Sequence, residues 1–106
     1  MTETMQPVLH RLREGLARLY GDRLRGGYIF GSYAREEAAP DSDLDVLIVL
    51  DQVDAYSSEI KRTSHLIAGI PLDSGISLSR VFVPESEWLR GQTPFLLNVR
   101  EDAVPA

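Results

Sequence analysis

The 106-residue sequence contains no cysteine. That excludes a disulfide frame and any thiolate metal site. It also lacks a hydrophobic run long enough to span a membrane. Its start, MTETMQPVLHRL, has neither the basic region nor the apolar core of a signal peptide. These absences lead to the expectation of a soluble, cytoplasmic protein. Positive charge is in short supply: eleven Lys and Arg stand against sixteen Asp and Glu, for a net charge of −5. Gripping a nucleic-acid backbone needs clustered Lys and Arg, so direct nucleic-acid binding is not expected. The basic residues that are present, His10, Arg11, Arg13, Arg18, Arg23, Arg25 and Arg35, crowd the first third, mostly with the spacing of a solvated helix face. There are no repeats or low-complexity segments. The length suits one core and leaves nothing over for a separate substrate-binding lobe, so residues 1–106 are expected to form one domain.

The chain alternates helical and extended patterns. Residues 1–5 are expected to fray. Pro7 suits a first helical turn. Val8, Leu9, Leu12, Leu16, Leu19 and Tyr20 then recur at helical spacing, and Gly21 is a stop signal. A short strand is expected over Leu24–Phe30, followed by a short helix over Ser32–Ala38 and a turn at Pro40-Asp41-Ser42. Leu44 to Leu50 is apolar at both alternating sets of positions, which marks a central strand covered on both faces. Asp54 is expected to cap a helix carrying Tyr56, Ile60, Thr63 and Ile67, closed by Gly69 and barred from continuing by Pro71. A strand around Ile76–Val83 ends at Pro84, a helical turn holds Glu85, Glu87 and Trp88, and Pro94 opens a last helix. The expected fold class is α/β (α+β), a small mixed β-sheet flanked by helices.

The chemistry concentrates between Gly31 and Leu50. Asp43 and Asp45 are two apart on a strand, so their carboxylates point to the same side. Two carboxylates on one face repel unless a cation lies between them. Mg²⁺ prefers oxygen ligands and commonly keeps waters and substrate phosphates, so the pair reads as half of a metal–phosphate site. Gly31 lets the backbone approach a ligand closely. Amides at the start of the short helix, with the Ser32 hydroxyl, could then face phosphate oxygens. For the two halves to meet, the strands ending at Phe30 and starting at Leu44 should form an antiparallel pair. Asp41 and Asp43 are also ordinary turn residues. Asp45 differs, because a carboxylate inside an apolar strand is costly unless paired or metal-bound.

Gly31-Ser32, ten further residues, then Asp43-Leu44-Asp45 resembles the signature of the DNA polymerase β-like nucleotidyltransferases, and within them the minimal (MNT-type) proteins. The likeness extends over Leu19 to Leu24, Phe30 to Arg35 and Asp41 to Val46, and more loosely from Ile76 through Trp88 to Val99. The resemblance implies that fold, and transfer of a nucleoside monophosphate, from ATP with one or two Mg²⁺ ions. It implies Asp43 and Asp45 as catalytic metal ligands, Gly31 and Ser32 as holders of triphosphate oxygens, and Arg35 as a supporting phosphate contact. A third carboxylate, acting as base and ligand, is implied on a later strand. Ile76 to Val81 contains no acid, so Asp73, just before it, is the nominee. The family's glycine after the arginine is Glu36 here.

The resemblance also implies an antitoxin that moves AMP onto a HEPN-type partner protein, in a hetero- or homo-oligomer. Without a lobe for a small acceptor, the acceptor could belong to a bound partner. Trp88, Phe95 and Leu97 are candidate contacts, although such residues more often serve the core. The alternatives are a catalytically weak antitoxin that neutralises its partner by complex formation, and nucleotidyl transfer to a small molecule.

Overall fold

The first helix begins one residue before the expected Pro7. In the computed structural model, which describes residues 5–106, α1 spans Gln6–Tyr20 with Pro7 in its first turn. Of the terminal residues expected to fray, residues 1–4 lie outside those described, and Met5 is buried in the core. A short 3-10 turn, Gly21–Arg23, leads to β1, Leu24–Phe30. The chain then runs through β2 (Leu44–Leu50), α2 (Tyr56–Ser74), β3 (Leu78–Pro84), α3 (Glu85–Arg90), α4 (Pro94–Asp102) and β4 (Val104–Pro105).

The strands form one mixed sheet in the order β3-β2-β1-β4. β1 is antiparallel to β2 and to β4, and β2 is parallel to β3. The central position inferred for β2 from its two apolar faces is therefore the observed one. Leu44, Val46, Ile48 and Leu50 pack with Leu9, Leu12, Leu16, Ile67 and Ile70 of α1 and α2. Leu47 and Val49 pack on the opposite side with Val83, Leu96 and Val99, against α3 and α4. Residues 44 and 46–50 are all buried. Each such side chain contributes about 1.5–3 kcal/mol of transfer free energy, which makes β2 the main apolar anchor of the fold.

Three local expectations are corrected. Residues 31–36 form consecutive turns rather than a helix. Their bonds are irregular, with Arg35 N–H donating to Gly31 O (3.1 Å), Glu36 N–H to Tyr33 O (3.2 Å) and Glu37 N–H to Ser32 O (2.8 Å). Glu36 adopts φ 60°, which no regular helix contains. Second, Ala55 rather than Asp54 precedes α2, without a side-chain cap; the Asp54 carboxylate accepts instead from Gln52 Nε2. Third, α2 continues through Gly69 and Pro71 to Ser74. Burying Ile67 and Ile70 against α1 and the sheet outweighs the single ladder bond that Pro71 removes. Gly75, at φ 75°, ends the helix, its N–H donating to Pro71 O. The edge strand β4 has too few residues for a sequence pattern to announce it.

Candidate active site

Side-chain alternation along β2 assigns Asp45 to a face. Leu47 and Val49 continue its parity and belong to the cluster beneath α3 and α4. Asp45 therefore opens on that same side, at the start of the strand, and Asp43 immediately precedes the strand rather than lying on it. Asp45 is half-buried and Asp43 exposed. Asp45 stands opposite Phe30 in the antiparallel ladder and opposite Ser79 in the parallel one.

Phe30 leads directly into Gly31, which turns the chain at φ 74°. A Cβ built there would collide with Oδ2 of Asp45. Gly31 thus meets two independent demands, a left-handed backbone and close approach to a carboxylate. The turns that follow use the amides of Arg35, Glu36 and Glu37, leaving those of Ser32, Tyr33 and Ala34 outside that hydrogen-bond pattern. Tyr33 and Ala34 pack against the core and anchor the loop. Without a helix here, any anion site must rest on individual amides and the Ser32 hydroxyl rather than on a helix dipole. Ser42 closes the turn between the two halves: its Oγ accepts from Ala39 N–H at 2.9 Å.

Arg35 extends from this loop. Its Nη1 donates to Asp102 Oδ2 of α4 at 2.9 Å and its Nε to Glu37 Oε2 at 3.3 Å. These bonds raise its pKa further, so it remains a fixed cation. Burial pushes the Asp45 carboxyl up, the Asp43 charge pushes it up further, and the Arg35 charge pulls it back. Arg35 only partly offsets the burial and mutual repulsion of the pair, and a hard divalent cation with oxygen preference fits that setting. Mg²⁺ commonly takes one or two carboxylates and completes its shell with water and phosphate oxygens.

Gly31 and Asp45 are thus brought together, Asp43 directly precedes the strand that carries Asp45, and Arg35 bonds through its N–H to Gly31 O. Asp73 is not brought to them. It is exposed in the last turn of α2, paired with Arg11 of α1, in the helical layer against the opposite face of the sheet. There it lines a groove of about 340 Å³ with Pro7, Val8, Ile70 and Ile76. Among the described residues, no three His, Cys, Asp or Glu converge to hold a metal ion. The expected third carboxylate is displaced because α2 is longer than its Gly69 and Pro71 suggested, which keeps Asp73 on the helix. On β3 the residue facing the Asp45 side is Ser79, since Val81 and Val83 continue its parity into the α3–α4 cluster.

Two features of the structure had no sequence signal. Asp102 lies 67 residues from Arg35, and only the packing of α4 brings them together. At the other end of the sheet, buried Glu59 accepts from Tyr20 Oη (3.0 Å), Arg23 Nη2 (2.9 Å) and Arg62 Nε (3.2 Å). Arg23 Nε also donates to Asp51 Oδ1 at 3.0 Å. Trp88 packs at a tilt against Tyr28 at 4.7 Å between centroids, and the Arg100 guanidinium lies over the Trp88 ring at 4.4 Å, so it serves packing within the chain. Phe95 meets Phe30 edge-on at 5.8 Å and stays partly exposed, as does Leu97.

No curated protein matches the chain. Solved structures do. One assigned as a minimal nucleotidyltransferase is 28% identical, covering 98% of this chain and 94% of its own, with a TM-score of 0.62. A toxin–antitoxin solved with AMP-PNP is 18% identical over 92% of this chain and 70% of its own, with a TM-score of 0.64. A protein from Sulfolobus solfataricus, assigned as a nucleotidyltransferase, is 22% identical over 97% and 82%, with a TM-score of 0.63. The latter two likenesses concern the fold. They agree with the mixed sheet flanked by helices expected from the sequence. The family model for the nucleotidyltransferase domain matches residues 9–94. With a match over most of its length and a glycine loop set against paired carboxylates, the chain belongs to the nucleotidyltransferase domain family.

Proposed function

We propose that the protein is a cytoplasmic, Mg²⁺-dependent nucleotidyltransferase that moves AMP from ATP to a partner protein, acting as the antitoxin of a HEPN-type toxin. The observation that carries the nucleotide reading is the apposition of Gly31 to the Asp45 carboxylate, with Asp43 two residues before Asp45 at the entry to β2. The solved toxin–antitoxin with AMP-PNP supports the role by analogy of fold. Among the described residues no helix is long and apolar enough to cross a membrane.

In this reading Asp43 and Asp45 hold Mg²⁺. The bound ion would neutralise phosphate charge and favour departure of pyrophosphate. Gly31 allows the triphosphate to lie against the backbone, the Ser32 hydroxyl donates to a phosphate oxygen, and Arg35 adds positive charge. The acceptor hydroxyl oxygen bonds to the α-phosphorus while the bond to the bridging oxygen breaks, releasing pyrophosphate. The hydroxyl proton must also leave. Asp73 lies in the other layer and is not assigned this task, so the proton passes to solvent or to a group of the bound partner.

The serine at position 79 favours a second reading, in which the chain binds nucleotide and neutralises its partner by complex formation alone. Incubation with a HEPN-type partner, Mg²⁺ and α-labelled ATP separates the two. Label on the partner, lost in Asp43→Asn and Asp45→Asn, supports transfer. Complex formation and inhibition without label, unchanged in those variants, supports the binder and rejects transfer.

A further inference from the structure

We propose that Asp102, the last residue of α4, is a positioning residue for the phosphate loop. Its carboxylate holds the Arg35 guanidinium beside the Asp43–Asp45 pair, in an orientation that receives triphosphate oxygens. This inference rests on the nucleotide reading above.

The loop and its anchor differ in how they are held. Residues 31–36 are bound by three irregular backbone hydrogen bonds, and Arg35 itself is exposed. Left alone, its long side chain would sample many rotamers and lose that freedom on binding a phosphate. Asp102, by contrast, belongs to an element fixed on both sides. Leu96 and Val99 of α4 are buried over Leu47 and Val49. The Ala103 N–H donates to Val99 O at 2.8 Å, and the chain then pairs Val104 with Ile29 on β1. The Asp102 side chain is only 29% exposed. It therefore presents a carboxylate of defined position to the Arg35 guanidinium.

The geometry of the guanidinium gives the arrangement its use. Nη1 is engaged by Asp102 and Nε by Glu37. Nη2 lies outside both ion pairs, and a planar fork fixed at two nitrogens has its third aimed. The Arg35 backbone N–H donates to Gly31 O at 3.1 Å, and Gly31 lies against the Asp45 carboxylate, so the cation belongs to the turn where the nucleotide's charge would gather. Asp102 acts through Arg35 and touches no substrate.

The test uses the full chain, Mg²⁺ and a non-hydrolysable ATP analogue, with calorimetric titration and AMP as the comparison ligand. Asp102→Ala should weaken the analogue roughly tenfold, the scale on which outer-shell partners act, while the affinity for AMP changes less. Arg35→Ala should cause a similar loss, and the double variant should bind no more weakly than Arg35→Ala alone, because the two residues act as one unit. Asp102→Glu should restore part of the affinity, and Asp102→Asn serves if the alanine variant folds poorly. Wild-type affinity in a folded Asp102→Ala, or additive losses in the double variant, would overturn the proposal. Failure of the wild-type protein to bind the analogue would instead overturn the nucleotide reading on which it stands.

Discussion

At Gly31 the backbone occupies φ 74° and a Cβ would run into the Asp45 carboxylate. A left-handed conformation costs an L-residue about 1–2 kcal/mol. Gly31→Ala should therefore lower unfolding stability by about that much and also weaken ATP–Mg²⁺ binding; a variant with wild-type denaturation midpoint and nucleotide affinity would refute both parts. At Ser79 the register creates an opportunity. This residue faces the Asp45 side of the sheet from the neighbouring strand. Ser79→Asp should add a third carboxylate and tighten Mn²⁺ or Mg²⁺ binding on the order of tenfold, as added ligand charge does in hard-cation sites. Unchanged cation affinity in a folded variant would show that position 79 does not reach the pair. The meeting of Gly31 with Asp45 was legible because it follows from the local pairing of the two strands that flank the turn. Asp73 was misread because its meaning depends on which face of the sheet its element covers.

The elements divide along the same line. β1 and β2 are found where their patterns indicated, since seven apolar-rich residues bounded by turn formers leave little latitude. The loop between them carries helix-compatible residues but forms turns, because Gly31 and Glu36 both take positive φ. α2 shows the reverse failure. Pro71 is a helix breaker by intrinsic preference, yet the helix passes through it. Its imide removes one bond and crowds the preceding turn, a defect worth up to about 3 kcal/mol in a helix interior and less near an end. Pro71→Ala is expected to raise stability by roughly 1 kcal/mol. Thermal unfolding checks this, and a lowered Tm would mean that Pro71 instead helps shape the chain's approach to β3.

Across the whole molecule, Glu59 ties α1, the 3-10 turn, the end of β2 and α2 into one network. Burial pushes the Glu59 carboxyl up, but hydrogen bonds from Arg23, Tyr20 and Arg62 and the Arg23 charge bring the net shift below its usual value of 4.5. The folded state therefore holds the proton more weakly than the unfolded chain. The resulting stabilisation is fully present above the ordinary glutamate range and drains away as pH falls through the lowered folded pKa. Glu59→Gln should cost roughly 2 kcal/mol near neutrality, the scale of charged hydrogen bonds, and should flatten the acid limb of the stability–pH curve. Denaturant titrations at a series of pH values test this, and an acid limb unchanged by the substitution would assign acid sensitivity elsewhere. Burial of Tyr20, with its bond to Glu59, raises its pKa as well, so its hydroxyl stays a donor throughout this range.

The sequence by itself determined the antiparallel pair of β1 and β2, because that pairing follows from short-range alternation and turn chemistry. It also determined a central β2, since a strand apolar on both faces must be covered twice. Only the tertiary structure decided that Asp73 pairs with Arg11, that Asp102 holds Arg35, and that Ser79 stands opposite Asp45. The physical reason is common to all three. These relationships join residues distant in sequence, and they are set by which face of the sheet each element covers, which local spacing does not encode.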